Sequence, residues 1–278
     1  MTALLPFSGC SMLNRILDVG DSMQHIRPDQ LLRLLQDSLT AQQVDYERVI
    51  ERFGQVRTSD DRARGKEFAF RDHVRGLVLS LLSNQRPWRR IEENLERIEC
   101  IFFGYDPVKI KKADPSQIEK SLRKIQCGNR SIHKQMAELG ENIDTFEKMA
   151  GDYGSLDKFV TSAPADQIAR KLSRGRYKLK QIGFTLALEY LRNVGIRAPK
   201  SDTHVKRFIS GARLRFVKGD PDPYQAYSIM VRLADEAGVN RTYLDNLLWL
   251  FCARDYGNIC GAAPRCGACL LRCYCAYP

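Results

Sequence analysis

Apolar residues recur at helical spacing along most of the chain. The stretch HVRGLVLSLLSNQ at 73–85 places Val74, Leu77, Val78, Leu81 and Leu82 on one face, and steps of three and four residues predict an amphipathic helix. Comparable repeats predict helices at 29–39, 44–53, 88–98, 118–125, 132–139, 143–149, 165–173 and 244–251. Two-residue alternation between hairpin turns is missing, so the pattern predicts an all-α fold.

The length of 278 residues allows one large domain or two modest ones. The polar stretch TSDDRARGKE at 58–67 is a plausible boundary, and residues 1–24 are expected to form a loose tail without the basic leading segment of a signal peptide. No apolar run approaches eighteen residues, so we expect no transmembrane span.

Positive charge is concentrated in one part of the chain. Residues 164–218 hold fourteen Lys and Arg against Asp166, Glu189 and Asp202, an excess equal to the net charge of +11. Such a segment suits a polyanion, because each cation that neutralises a phosphate releases counterions. The alternative is a solvated face, but apolar residues at helical spacing interrupt the run and indicate folded structure.

Five of the nine cysteines lie within residues 260–275, in the stretch CGAAPRCGACLLRCYC. A chain of this length does not need disulfides for stability, and in a reducing compartment clustered thiols more often hold metal. Cys10, Cys100, Cys127 and Cys252 are scattered and are expected to be small buried apolar residues.

Two further motifs lie in the basic segment. In KLKQIGFTLALEYLRN at 178–193, a turn at Ile182-Gly183 joins two predicted helices, and such a hairpin can aim helix N–H groups at a phosphate, with Lys178 and Lys180 adding charge. In SDTHVKR at 201–207, Asp202 precedes another helix. Its simplest interpretation is an N-cap.

The chain resembles the helix-hairpin-helix DNA glycosylases of the endonuclease III type. Three features match in order, namely the hairpin ending IGFTLA, the segment SDTHVKR and the cysteine array with PRCGAC, and a fourth is LLSNQ at 81–85, further upstream. The resemblance covers roughly 70–278 and implies two helical lobes with a DNA groove between them. It implies a six-helix barrel domain at 66–196, with 25–65 and 197–278 folding together around an iron-sulfur cluster.

The resemblance implies an enzyme of base excision repair that hydrolyses the N-glycosidic bond of a damaged or mismatched base flipped out of double-stranded DNA. Asp202 would be catalytic, stabilising positive charge on the sugar and orienting water. The implied DNA-binding residues are Gln85, Lys178, Lys180, Ile182, Gly183, Thr185, Lys206 and Arg207. Gln85 would fill the gap left by the base, although an exposed helix end explains it nearly as well. We expect a monomer without membrane contact, cytoplasmic with the nucleoid in a prokaryote and nuclear in a eukaryote.

The resemblance also assigns a [4Fe-4S] cluster to Cys260, Cys266, Cys269 and Cys275, whose gaps of five, two and five residues differ from the family's first gap of six. Cys273 could replace Cys275. Zinc is the rival, but zinc sites usually carry two CxxC pairs and only one is present.

Family members that also cut the strand carry a lysine two residues after the second hairpin glycine. Thr185 occupies that place and cannot form a Schiff base, and Gln181 replaces the first glycine. We therefore expect a monofunctional glycosylase. The alternatives are strand cleavage through Lys178 or Lys180, a DNA-binding protein without catalysis, and a zinc-containing binding module. Oxidised pyrimidines, 8-oxoguanine, mismatched uracil or thymine, and adenine opposite a lesion all remain open as the base.

Overall fold

The structure is a computed structural model that describes residues 26–85 and 87–277. The expected tail at 1–24 lies outside these residues. The described residues form α-helices joined by short turns and contain no β-strand, so the predicted all-α class is confirmed. Among the described residues, no helix is long and apolar enough to cross a bilayer.

The helices are short, and most connections between them are a few residues long. In chain order they are α1 (Pro28–Ala41), α2 (Tyr46–Phe53), α3 (Gln55–Ala63), α4 (Phe70–Leu82), α5 (Trp88–Glu92), α6 (Leu95–Ile101), α7 (Pro107–Lys112), α8 (Pro115–Lys124), α9 (Ile132–Ala137), α10 (Leu139–Tyr153), α11 (Leu156–Thr161), α12 (Ala165–Ser173), α13 (Phe184–Asn193), α14 (Thr203–Ile209), α15 (Pro223–Glu236) and α16 (Arg241–Cys252). Three-residue 3₁₀ turns lie at Phe103–Tyr105, Cys266–Ala268 and Arg272–Tyr274.

The buried apolar side chains form two clusters. The first draws on residues 74–198, joined by Tyr227, and surrounds α4, α10 and α13. The second combines residues 26–50 with residues 205–271 and surrounds α1, α15 and α16. Amphipathic helices must bury their apolar faces together, so two clusters account for the helix periodicity on both sides of residue 200.

The N-terminal helix of the described chain packs against the cysteine-rich end. Gln30 Nε2 donates to Tyr274 Oη at 2.7 Å, and the Leu270 amide donates to Ser38 Oγ at 3.2 Å. A Cβ on Gly257 would lie 2.6 Å from a Leu39 methyl carbon. Only glycine permits this approach of α1 to the turn after α16, which ties the two chain ends together.

The structure corrects three sequence predictions. Cys100 is exposed, so the expected burial is wrong there, whereas Cys127 and Cys252 are buried as expected and Cys10 lies outside the described residues. The single helix expected at 88–98 is divided into α5 and α6 at Asn94, whose φ of −124° departs from helical geometry. The polar stretch at 58–67 is not simply a link, because α3 runs through it to Ala63. Gly54, at φ +71°, lets the chain turn from α2 directly into α3. Composition alone concealed α3, since its exposed face is strongly polar.

Candidate active site and cysteine cavity

A cleft of about 640 Å³ lies where elements of the two apolar clusters meet. It is bounded by the end of α4, the beginning of α13, the segment before and into α14, and one face of α16. Four of the site residues predicted from the sequence line this cleft, namely Gln85, Thr185, Asp202 and Lys206. Residues far apart in sequence therefore share one concave surface.

Asp202 begins α14 as the sequence predicts. Its Oδ1 accepts hydrogen bonds from the amides of His204 at 2.8 Å and Val205 at 3.2 Å, which satisfy two N–H groups of the first turn. Oδ2 accepts no hydrogen bond from the residues that the structure describes. One oxygen thus fixes the carboxylate on the helix while the other is available to a ligand in the cleft.

Thr185 is brought next to Asp202 by α13. Its Oγ1 donates to the carbonyl oxygen of Ser201 at 3.2 Å, one residue before Asp202. The hydroxyl of Ser201 and Nδ1 of His204 are buried and have no hydrogen-bond partner in the described part of the chain. Burial lowers the pKa of His204 below its usual value, so its ring is neutral at pH 7. Ser201 and His204, close to Asp202 in the chain, therefore each carry a buried polar atom without a described partner, and the His204 ring is neutral.

The hairpin before α13 contains a residue in the left-handed region. Gln181 has φ +60°, a conformation that glycine adopts readily and other residues rarely do. Its side chain donates from Nε2 to Glu138 Oε2 at 2.7 Å. Ile182 is buried, and Gly183 precedes α13 without a side-chain cap on the helix. The backbone thus makes the turn that a glycine would make, and the first amides of α13 lack a capping side chain.

Gln85 is exposed, lies just beyond the end of α4 and lines the cleft. Its φ of +52° turns the chain away from the helix axis. Both interpretations of this residue are compatible with the structure, because an exposed helix end here is also the edge of the cleft.

The basic residues named from the sequence are not all brought together. Lys206 lines the cleft, but Lys178, Lys180 and Arg207 do not. Lys180 is exposed and lies 3.4 Å from Glu141. The charge of Arg207 acts on the cysteine side, where it contributes to lowering the pKa of Cys260.

The sequence analysis missed a buried network of charges in the cleft wall. Glu189 is 2% exposed, and its Oε2 lies 2.6 Å from Arg192 Nη2 and 3.1 Å from Lys200 Nζ. Arg192 also pairs with Asp245 and donates to Asn246 Oδ1. Burial alone would raise the pKa of Glu189, but the charges of Arg192 and Lys200 and their hydrogen bonds lower it to about 2.

One signal in the sequence could have revealed this network. Glu189 and Arg192 are three residues apart in α13, among Leu188, Tyr190 and Leu191. An acid and a base at helical spacing within an apolar stretch indicate a buried ion pair. In the prediction from sequence, both residues contribute only to the net charge.

The four predicted ligand cysteines line a single small cavity. Cys260, Cys266, Cys269 and Cys275 form its wall together with Arg213 and Arg272, whereas Cys273 is exposed and does not line it. Within residues 26–85 and 87–277, no three His, Cys, Asp or Glu side chains converge as a site for a single metal ion. The thiols thus surround a space without meeting at one point.

Cys252 and Arg213 modify the first of these cysteines. A hydrogen bond from the buried Cys252 thiol lowers the pKa of Cys260 to about 7, with a further contribution from the charge of Arg213. Burial raises the pKa of Cys269 to about 12. Cys260 is therefore more easily deprotonated to a metal-binding thiolate than Cys269.

The comparisons with known proteins add no relative. The chain matches no family model, no curated protein and no solved structure. Its function is therefore argued from the cleft and the cysteine cavity.

Proposed function

We propose that this protein is a DNA glycosylase that hydrolyses the N-glycosidic bond of a damaged or mismatched base. The observation that carries the proposal is the meeting of Asp202, Thr185 and Gln85 in one cleft, three residues that the resemblance had assigned to one reaction from separate parts of the sequence. The two apolar clusters support two helical lobes with a DNA groove between them.

Asp202 is the catalytic residue of this proposal. As the base departs, positive charge develops on the deoxyribose, and a carboxylate held near C1′ stabilises it. Oδ2 is available for this role because the cap uses Oδ1. A water molecule oriented by the carboxylate attacks C1′ and supplies its oxygen to the sugar, and the base leaves with the bonding electrons and takes up a proton.

The enzyme is proposed to be monofunctional. Thr185 lies beside Asp202 at the place where a Schiff-base lysine would be needed. Lys178 and Lys180, the alternative amines, do not line the cleft. Lys200 does line it, but its ammonium group is held in an ion pair with the Glu189 carboxylate.

The partner is double-stranded DNA, bound by one copy of the protein. Lys206 would contact the backbone beside the extruded nucleotide, and the uncapped amides at the beginning of α13 would bind a phosphate. Gln85 would occupy the gap in the duplex.

The cysteine cavity fits a [4Fe-4S] cluster held by Cys260, Cys266, Cys269 and Cys275. The fit rests on the donor set, since four thiols surround one space and each iron of such a cluster takes one thiolate. The exposure of Cys273 favours Cys275 as the fourth ligand. Bound there, the cluster would cross-link the last residues to the second apolar cluster.

Single-turnover base release tests the proposal. Duplexes carrying one damaged or mismatched base are incubated with the protein and then cleaved with alkali at the abasic site. Asp202→Asn retains the cap acceptor and should lower release about a hundredfold or more without loss of DNA binding. Asp106→Asn changes the N-cap of α7, which lies outside the cleft lining, and as the matched control it should release base at the wild-type rate.

Two outcomes would contradict the proposal. Wild-type release by Asp202→Asn would reduce this residue to a helix cap, and a protein that binds DNA without releasing any base would favour the non-catalytic alternative. Borohydride should trap no covalent complex with wild type, and efficient trapping would contradict the monofunctional assignment.

Metal analysis tests the cluster separately. The purified protein should contain about four irons per chain and absorb broadly near 400 nm. Cys275→Ser should lose iron, whereas Cys273→Ser should keep it. One zinc per chain without colour would establish the rival site.

A further inference from the structure

The wall of the cleft contains a buried amide, Asn246, with a fixed orientation and an unpaired donor. Arg192 donates from Nη1 to Asn246 Oδ1 at 3.2 Å, which sets the orientation of the Asn246 amide. Because Oδ1 accepts from Arg192, the amide nitrogen Nδ2 is not directed at Arg192 Nη1. Nδ2 is buried and has no hydrogen-bond partner in the part of the chain that the structure describes. Asn246 is 2% exposed and lines the cleft.

In Gln55 the amide nitrogen is engaged and the oxygen is left over, the reverse of Asn246. Its Nε2 donates to Glu189 Oε1 at 3.2 Å and to Asn193 Oδ1 at 2.8 Å, so both amide hydrogens are engaged. Its Oε1 is therefore left as an acceptor, and Gln55 also lines the cleft. An amide whose two donors are both fixed cannot turn over without losing two hydrogen bonds.

Lys200 completes the set. Its ammonium group lies 3.1 Å from Glu189 Oε2, is 13% exposed as a side chain, and lines the same cleft. Asn246 Nδ2 and Lys200 Nζ are donors, and Gln55 Oε1 is an acceptor. All three side chains are connected through hydrogen bonds to Glu189 and Arg192, so one network of charges holds them.

We propose that these three side chains bind the edge of a pyrimidine base in which two carbonyl oxygens flank an N–H group, as in uracil, thymine and their oxidised derivatives. The inference rests on the proposed glycosylase function and names its substrate class. Buried groups without partners discriminate strongly, because a base that fails to satisfy them leaves them desolvated and unpaired.

Other candidate bases fit this set less well. Adenine presents an amino group beside an acceptor nitrogen, and that amino group would face the Asn246 or Lys200 donors. The lesion 8-oxoguanine offers two carbonyls around an N–H on its Hoogsteen edge, but they belong to different rings and lie farther apart.

A substrate panel tests the class without changing the protein. Uracil or thymine opposite guanine should be released about a hundredfold faster than adenine opposite 8-oxoguanine. Methylation of N3 of uracil removes the central N–H and should lower release roughly tenfold to a hundredfold. Equal release of uracil and N3-methyluracil would overturn the proposal.

Asn246→Asp exchanges the donor for an acceptor of the same shape. The release ratio of uracil to 5-hydroxycytosine should shift at least about tenfold toward 5-hydroxycytosine, which carries an amino group in place of O4. Asn129→Asp is the matched control, because Asn129 is also buried and hydrogen-bonded but lies outside the cleft lining. Its ratio should stay at the wild-type value.

The outcomes separate the two proposals. Preferred release of adenine or 8-oxoguanine, abolished by Asp202→Asn, would overturn the base class while the glycosylase function stands. Absence of release from every duplex would remove the glycosylase function and this inference with it. An unchanged ratio in Asn246→Asp, measured on folded protein, would overturn the role of Asn246.

Discussion

Two buried networks of charged side chains occupy different places in this molecule. The cleft network contains Glu189, Arg192, Lys200 and Asp245, and among the described residues it leaves the buried donors Arg192 Nε and Asn246 Nδ2 without partners. The remote network contains Arg62, Asp157, His73 and Tyr190 and lies outside the cleft lining. They use similar residue types, so composition alone does not distinguish them.

The remote network pairs most of its groups internally, and the one of its buried side-chain atoms that lacks a hydrogen bond among the described residues, His73 Nε2, still lies within ion-pair distance of Asp157. Arg62 makes a bidentate contact with Asp157 at 2.6 and 3.1 Å and donates from Nε to the carbonyl oxygen of Val194 at 2.8 Å. His73 Nδ1 lies 2.7 Å from Tyr190 Oη, and its Nε2 lies 3.3 Å from Asp157 Oδ1. These contacts connect α3 to α4, α11 and the end of α13.

The extent to which buried polar groups are paired within the network distinguishes a network that only stabilises the fold from one that binds a ligand. A network that only holds helices together pairs its groups internally, because an unpaired buried polar atom costs about 1–3 kcal/mol. The cleft network accepts that cost at Asn246 Nδ2, where a ligand can offset it. We therefore expect removal of a charge to affect stability in both networks and base choice only in the cleft.

Asp157→Asn should produce the largest change in stability. Burial would raise the pKa of Asp157, but hydrogen bonds from His73 and Arg62 outweigh it and hold the pKa well below its usual range. Removing the charge leaves Arg62 uncompensated and should cost about 4 kcal/mol in urea unfolding at pH 7. The exposed pair of Lys111 and Glu147 gives the control, and Glu147→Gln should cost less than about 1 kcal/mol.

The same variant tests the comparison itself. Below its unfolding transition, Asp157→Asn should release base with wild-type selectivity. Altered base selectivity in the folded variant would contradict the purely structural role of the remote network.

Glu189→Gln should cost about 3 kcal/mol at pH 7, less than Asp157→Asn because Arg192 keeps Asp245 as a partner. The effect should depend on pH. The pKa of Glu189 is lowered from 4.5 to about 2 in the folded protein, so the charged carboxylate stabilises the fold fully above pH 4.5 and progressively less toward pH 2. Urea unfolding at pH 7 and pH 3 should show the variant approaching wild type in acid. An equal difference in unfolding free energy between variant and wild type at pH 7 and at pH 3 would contradict the pairing of Glu189 with Arg192 and Lys200.

Gly195→Ala should lower the free energy of unfolding by about 2 kcal/mol or more. Gly195 follows Val194, whose carbonyl oxygen accepts from Arg62 of the remote network. Gly195 has φ +79°, and a Cβ there would lie 2.7 Å from the carbonyl oxygen of Thr58 in α3. Gly151→Ala is the matched control, since it lies within α10 with no atom within 4 Å of its added Cβ. It should stabilise by about 0.5–1 kcal/mol in thermal or urea unfolding. Equal effects of the two variants would exclude the close approach as the cause.

Local rules recovered much of this fold from the sequence. The apolar repeat at Val74–Leu82 and the cap at Asp202 depend on neighbours within a few residues, and both helices form as predicted. The pairing of Glu189 with Lys200 and Gln55 depends on contacts between α13, the segment before α14 and α3. No sequence spacing encodes such contacts. The motifs therefore predicted that Asp202 caps a helix but not which polar groups would surround its carboxylate.

The hairpin next to the cleft gives the smallest and most local prediction. Gln181 adopts φ +60° in the place of the first hairpin glycine of the resembled family, while its side chain bonds Glu138. Gln181→Ala removes the hydrogen bond and keeps the Cβ, whereas Gln181→Gly removes both. The difference between the two variants thus isolates the backbone strain, and the glycine variant should be more stable than the alanine variant by about 1 kcal/mol in urea unfolding.

The same pair at Gln43, which has φ +57° in the turn after α1, is the control for glycine at a positive φ away from the cleft. If relief of strain also lets α13 meet a phosphate better, Gln181→Gly alone should bind undamaged duplex more tightly than Gln181→Ala, and Gln43 variants should not differ. Equal stability of Gln181→Gly and Gln181→Ala would mean that the turn carries no strain and that Gln181 suits this hairpin as well as glycine would.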